Sequence, residues 1–532
     1  MNRSSILLAT ALLVHADVNA QALGGRTVYL EEVTLPGMPG VQSFAWAQHN
    51  GEWLILGGRT DGLHQRQPFA SFLAADNNTT AYVVDPVGLQ VWSTSITSLP
   101  AALVEQLQCT NMEYVQRDTT LYVIGGYGYA ASMLDHTTHD RLTAIDVPGA
   151  FQAIKNGQPL GPHFRSLADP RMEVTGGYLG LEGDHFHLVG GQRFEGRYNP
   201  MGPNHGPGFV QEYTNAIRRF RIEDDGVNLT IADYQEVIDT VNLHRRDYNL
   251  VPQVFPNGTT GFTAFTGVFQ YGQDLPWLNT VDIQGTSYTV VPDFEQLLNQ
   301  YHTAHMALYD SLANVMSTVF FGGIGRYYFD GNGTLWDDPN VPFVNTISLV
   351  ERDANGVMQE LAIGEMPALL GASAEFIPWP AAPQRINGML KLDQMTADTV
   401  LVGHIMGGIE SSAANIFFIN TGTQSDASTR LFRVYLVSGP TGIAEQETGG
   451  ELLRVNGAPG SDAVRVTLEL PAADTGELRL LDGSGRLVRT LVKARIPAGQ
   501  QTYHVDLSDL APCTYLVEYR SEERHATVRF VR

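Results

Sequence analysis

An apolar strand that stops at two glycines is written five times into this chain. Trp53-Leu54-Ile55-Leu56 runs into Gly57-Gly58, Leu121-Tyr122-Val123-Ile124 into Gly125-Gly126, and Phe186-His187-Leu188-Val189 into Gly190-Gly191. Thr318-Val319-Phe320-Phe321 meets Gly322-Gly323, and the run from Val402 to Met406 meets Gly407-Gly408. A glycine pair ending a strand marks a tight turn or a close passage past a neighbouring backbone. Recurrence of the same unit requires stacked, similar modules rather than one irregular core.

Each unit extends in both directions. A strand and a turn come before the glycines, as in Ser43 to Glu52 and Asn111 to Asp118. After them come a polar loop, a strand such as Ala81-Tyr82-Val83-Val84-Asp85, a turn, and a last strand such as Gln90-Val91-Trp92-Ser93 that closes at Leu99-Pro100. Four short strands per unit is the layout of one propeller blade. A sixth unit is expected at Gly261 to Phe269, where only Gly267 stands in place of a pair; the spacing between units runs from 55 to 85 residues. An unclosed stack would leave a sticky strand edge. Two segments compete to close it, Thr27 to Val33 and Leu431 to Leu436.

The order of apolar strand, Gly-Gly, Tyr-x-x-Asp and Trp before Leu-Pro, read at residues 53–59, 82–85, 92 and 99–100, resembles a kelch repeat. The resemblance implies an all-β fold, a six-bladed kelch-like β-propeller over residues 25–438.

Residues 1–20 read as a signal peptide, with Arg3, an apolar stretch from Ile6 to Val14, and Val18-Asn19-Ala20 as the cleavage signal. No apolar run is long enough to form a transmembrane span. Two cysteines in 532 residues, Cys109 and Cys513, exclude a disulfide framework and zinc sites built on paired cysteines. A formal net charge of −23 argues against nucleic acid as a partner, because phosphates call for a basic footprint.

Residues 439–451 are glycine-rich and charged, a linker. Beyond them, residues 452–532 carry about seven short alternating strands, the pattern of a small C-terminal β-sandwich. The Leu-Asp-x-x-Gly-Arg-x-Val-x-x-Leu segment over 481–491, then Pro497-Ala498-Gly499, Asp506-Leu507, Leu510 and Tyr515-Leu516-Val517, resembles the sorting domain of the type IX secretion system. Cys513 stands where that family places glycine. The resemblance implies type IX secretion machinery as a partner and a protein secreted from, or held on the surface of, a Gram-negative cell.

Aligned on the innermost strand of each unit, Ala45, Glu113, Glu173, Asn249, His305 and Glu375 occupy equivalent places at one mouth of a central channel. Carboxylates so gathered raise one another's pKa unless a cation or an arginine neutralises them. That makes the ring a candidate site for a divalent cation or a polyhydroxylated ligand. The alternative is that these residues bond neighbouring blades or channel water. Loops leaving the Gly-Gly strands reach the same face and carry Arg59, His64, Arg66, Tyr127, Arg193, Tyr198, Arg326 and Tyr327, the residue types that recognition surfaces use. His136-x-x-His139 lacks the helical context of a shared metal, and Asp330-Gly331-Asn332-Gly333-Thr334 lacks the distal glutamate of a calcium loop.

The expectation is an extracellular or cell-surface binding module for protein or carbohydrate. The alternative is a secreted propeller enzyme, a glycan hydrolase or lyase or a copper-radical oxidase, using the acidic mouth with Glu113 or Glu173 as base and His305 as partner. Kelch-type propellers include copper-radical oxidases, and Tyr301-His302 resembles their Tyr-His step, with Cys109 the sole cysteine placed to form a Tyr-Cys crosslink.

Overall fold

The computed structural model describes residues 22–330, 333–385, 387–438, 452–456, 463–482, 486–508, 510, 514–521 and 524–531. The expected signal peptide, the linker, Cys513 and part of the Asp330–Thr334 turn lie outside the described residues. The protein is all-β and built from antiparallel sheets, and it divides into two compact units, Met1–Gly439 and Pro440–Arg532.

The first unit contains six sheets with a common path of four strands. The first sheet runs through Ala45–His49, Glu52–Leu56, Thr80–Asp85 and Gln90–Ser95. The next four begin at Glu113–Arg117, Thr175–Glu182, Asn249–Val254 and His305–Asp310. The sixth starts at Leu369–Pro378 and continues through Thr399–Ser411 to Leu431–Ser438. Its fourth strand comes from the other end of the chain. Arg26–Val33 pairs antiparallel with Leu431–Ser438, from Arg26 opposite Ser438 to Val33 opposite Leu431. Both candidate segments are therefore strands of the sixth sheet, side by side.

The Gly-Gly strands are apolar on both faces because both faces are covered. On Glu52–Leu56, Leu54 faces a core shared with Leu121 and Val123 of the second sheet, while Trp53 and Ile55 face a core shared with Ile377 and Met406 of the sixth. Equivalent clusters join second to third, third to fourth, fourth to fifth and fifth to sixth. Each buried Leu, Ile or Phe in them contributes about 1.5–3 kcal/mol relative to exposure.

The glycine pairs are the joints between sheets. The second glycine donates its N–H to the chain entering the next sheet: Gly58 to Cys109 O at 2.7 Å, Gly126 to Val174 O at 2.9 Å, Gly191 to Arg245 O at 2.8 Å and Gly408 to Val41 O at 2.9 Å. Both glycines of each pair adopt positive φ, and a Cβ at Gly125 would stand 1.9 Å from Val174 O. In the fourth sheet Thr266 takes the first glycine's place at φ +53°, its hydroxyl donating to Gln300 O at 2.7 Å. That bond to the chain entering the next sheet is how one unit manages with a single glycine.

The second unit holds a three-stranded sheet (Leu453–Asn456, Ala463–Leu470, Gly499–Asp506) and a four-stranded one (Asp474–Asp482, Leu487–Ile496, Thr514–Ser521, His525–Val531). Val466 and Leu468 from the first share one core with Leu478, Leu480, Val517 and Tyr519 from the second. No described helix of the protein is long and apolar enough to cross a membrane.

Candidate functional site: a cavity above a closed ring of backbone hydrogen bonds

One residue in or just before the first strand of each of the six sheets enters a closed cycle. Ser43 N–H donates to Ser373 O (3.0 Å), Ser373 N–H to His302 O (3.0 Å), and His302 N–H to Asp247 O (3.0 Å). Asp247 N–H donates to Gly176 O (2.7 Å), Gly176 N–H to Asn111 O (3.3 Å), and Asn111 N–H back to Ser43 O (3.3 Å). Ser43, Asn111, Gly176, Asp247 and Ser373 adopt φ of 53°, 49°, 66°, 47° and 56°. The left-handed turn lets each peptide direct its N–H and C=O around the cycle instead of along a strand. Serine, asparagine, aspartate and glycine are the types that tolerate that conformation.

Two residues beyond the cycle, the structurally equivalent positions are Ala45, Glu113, Tyr178, Asn249 and Glu375, facing Leu56, Ile124, Val189, Phe265 and Met406 across the ladder. In the fifth sheet the place falls to Ala304, whose carbonyl accepts from Phe321 N–H at 3.0 Å. Two expected members of the ring are thus corrected. Glu173 sits just after the short helical turn Pro170–Met172, five residues early, where its carboxylate accepts from Arg193 Nε at 2.9 Å. His305 is one residue late, and a slip of one turns a strand side chain to the opposite face. Its Nδ1 meets Thr303 O at 2.9 Å, its Nε2 lies 3.4 Å from Tyr178 Oη, and its ring faces Phe320.

Glu113 and Asn249 serve as links between sheets. Glu113 Oε1 accepts from Gly177 N–H at 2.8 Å; Asn249 Nδ2 donates to Tyr301 O at 2.9 Å and Oδ1 accepts from Thr303 N–H at 3.0 Å. Glu113 Oε2 is buried with no partner among the described residues, and burial holds this carboxyl well above the usual range. Glu375, only 5% exposed, places Oε1 at 3.2 Å from His302 Nε2. Burial acts to lower the His302 imidazole, but the Glu375 carboxylate, helped by Asp247, outweighs it and the pKa is raised. Glu113, Tyr114, Tyr178, Tyr248, His302 and Glu375 enclose a void of about 30 Å³. A water occupies roughly 10–15 Å³ on this measure, so the void has room for water and not for a sugar. Among the described residues, no group of three or more His, Cys, Asp or Glu side chains is arranged to hold a metal ion.

A second cavity of about 810 Å³ is formed by the loops that leave the Gly-Gly strands, and Asn111, Asp247 and His302 line both spaces. Its walls combine clustered aromatic rings with many polar side chains. Tyr213, His244 and Tyr271 form a three-ring stack with centroids 3.8 and 4.0 Å apart. His64 meets Tyr198 and Phe417 edge-on at 4.9 and 5.5 Å. Burial pushes His64 and His244 down to about 4, with Arg246 adding to it at His244, so both rings are neutral at pH 7. Arg246 supplies charge at the wall. Its Nη1 pairs with Asp247, its Nε donates to Tyr213 Oη at 3.0 Å, and its guanidinium lies 5.0 Å from the Phe269 ring centre.

The expected loop residues divide. Arg59 and Tyr127 line the cavity but are occupied by the scaffold. Arg59 is buried, forks onto Asp61 at 2.7 and 2.8 Å and donates to Asn77 Oδ1 at 2.9 Å; Tyr127 donates to Gly196 O and accepts from Tyr198 N–H, both at 2.8 Å. Arg193, Arg326 and Tyr327 lie outside the lining. Arg193 is shared among Glu173, Glu195 and Glu212, and Arg326 forks onto Asp337 at 2.6 and 2.7 Å over the Tyr327 ring. Cys109 lines neither cavity; it is buried, its thiol pushed up by burial, with Sγ donating to Glu105 O at 3.1 Å. It is therefore not positioned for a crosslink beside Tyr301 and His302, which do line the large cavity.

Sequence reasoning missed Tyr213, His244, Arg246 and Asp247. One signal was available: Asp247 stands two residues before Asn249, as Asn111 stands two before Glu113.

No protein-family model matches the sequence, and no curated protein does. Among solved structures, one titled "Structure of YjhT" is similar over 76% of this chain and 99% of its own, at 12% sequence identity and a TM-score of 0.41.

Proposed function

We propose that the protein is an exported, six-bladed kelch-like β-propeller that binds a carbohydrate in its loop-face cavity and is delivered by a type IX-like sorting tail. The observation that carries the binding reading is the 810 Å³ cavity, of ligand size and lined by aromatic rings together with many amide, hydroxyl and charged side chains. Sugar rings present apolar C–H faces that stack on aromatic rings, and hydroxyls that reach amides and charged groups at their edges. A concave space of this size favours a glycan over the flatter surface of a protein partner. Six sheets in chain order, a strand from the N-terminal end completing the sixth, and the six-membered hydrogen-bond cycle support the propeller reading. The sorting role rests on the sequence of the tail.

The test is retention on a glycan array by the full chain and by Tyr271→Ala, a change at a side chain 57% exposed at the outer layer of the stack. Specific retention that the variant loses is expected; no retention by the wild type, or equal retention by both, overturns the reading. For delivery, the extracellular protein from a culture of the native cell should carry a C-terminus near residues 438–451. Extracellular protein still ending at Arg532 would refute removal of the tail.

A further inference from the structure

His302 joins the two cavities, and its ring is held in a particular way. Its backbone is locked into the hydrogen-bond cycle on both sides, by N–H to Asp247 O and by C=O from Ser373 N–H. Its Nε2 lies 3.2 Å from the buried Glu375 carboxylate, whereas its Nδ1 has no partner among the described residues. The side chain is 21% exposed, on a site otherwise largely closed. A carboxylate on one imidazole nitrogen fixes the tautomer so that the proton sits there and the other nitrogen presents its lone pair.

From this geometry we propose that His302 is a general base directed at the occupant of the large cavity, with Glu375 as its positioning residue. Nδ1 takes the proton of a ligand hydroxyl: the O–H bond breaks with its electron pair left on oxygen, an N–H bond forms, and the imidazolium is stabilised by Glu375. The charged Arg246, joined to the same cycle through Asp247, stands on the cavity wall where it can offset the alkoxide. No oxidant, reductant or metal takes part. The proposal rests on the cavity being the ligand site, and it makes the protein an acid–base enzyme on a bound sugar rather than a passive receptor.

The groups facing His302 are Glu375, Asp247, Tyr178, His305 and, across the small void, Glu113. The experiment is a ligand-free one: carbethoxylation of the intact protein by diethyl pyrocarbonate across a pH series, with His302 read by peptide mass spectrometry and its ring titration by NMR. Only a neutral, accessible nitrogen reacts. His302 should be modified in the folded protein with a midpoint above that of an ordinary histidine. Glu375→Gln should move the midpoint below the ordinary value, because burial remains and the opposing carboxylate is gone. Circular dichroism of the variant checks that the fold is kept, and Glu375→Asp should restore part of the upward shift if the variant is folded. A His302 inert in the wild type, or a midpoint unmoved by Glu375→Gln, overturns the proposal. Because no ligand is used, a failed glycan array would sink the binding reading without touching this result.

Discussion

Gly125→Ala tests the joint between sheets most directly. Gly125 sits at φ +62°, and a Cβ there would stand 1.9 Å from Val174 O and 3.1 Å from Glu113 Oε2. Rotating a side chain relieves nothing, since the carbonyl belongs to backbone that also accepts Gly126 N–H at 2.9 Å. The left-handed conformation costs a residue with a Cβ about 1–2 kcal/mol. Pushing Val174 away breaks the Gly126 bond in buried surroundings, which costs about 1–3 kcal/mol more. The sum is about 2–5 kcal/mol. Gly183 has the same φ of +62° with nothing within 4 Å of a built Cβ, so Gly183→Ala isolates the conformational cost. Urea unfolding of both variants, followed by tryptophan fluorescence, should separate them by about 1–3 kcal/mol at equal slope. Equal midpoints would refute the claim that the glycine pair exists to let two backbones touch.

Two further outcomes follow from the same structure. Glu113 keeps its proton in the folded protein at pH values where the unfolded chain has released it, so its contribution to stability falls as pH rises through and above the ordinary carboxyl range. Glu113→Gln should remove that fall, so that its stability relative to wild type improves as pH rises above the ordinary carboxyl range in urea titrations; a pH-independent difference would refute a buried, protonated Glu113. Removing residues 22–33 strips the fourth strand from the sixth sheet and leaves one edge of Leu431–Ser438 unpaired, its other edge still held by Thr399–Ser411. Size-exclusion chromatography should then find dimers or larger species, since such an edge is a pairing template; a monomer with unchanged melting would refute the edge-covering role of this strand.

Local pattern settled much of this protein before any coordinates. An apolar run ended by two glycines states a strand covered on both faces and a backbone contact at its end, because only glycine combines positive φ with the absence of a Cβ. Five such runs specify repeated antiparallel sheets, and the alternation in 463–470 specifies a strand in the second unit. Register was beyond that pattern. Nothing local distinguishes Glu173 from Tyr178 as the residue opposite Val189, and the single-residue offset of His305 depends on where the loop before it lets the strand begin. The binding walls lay further out of reach. Arg246, Tyr213 and Tyr271 come from separate segments, and their stacking arises only when the ends of several sheets converge. The sequence by itself determined which segments are strands and where backbones must meet. Tertiary structure alone decided which side chains face one another, because that depends on ladder register and on loops brought together from distant parts of the chain.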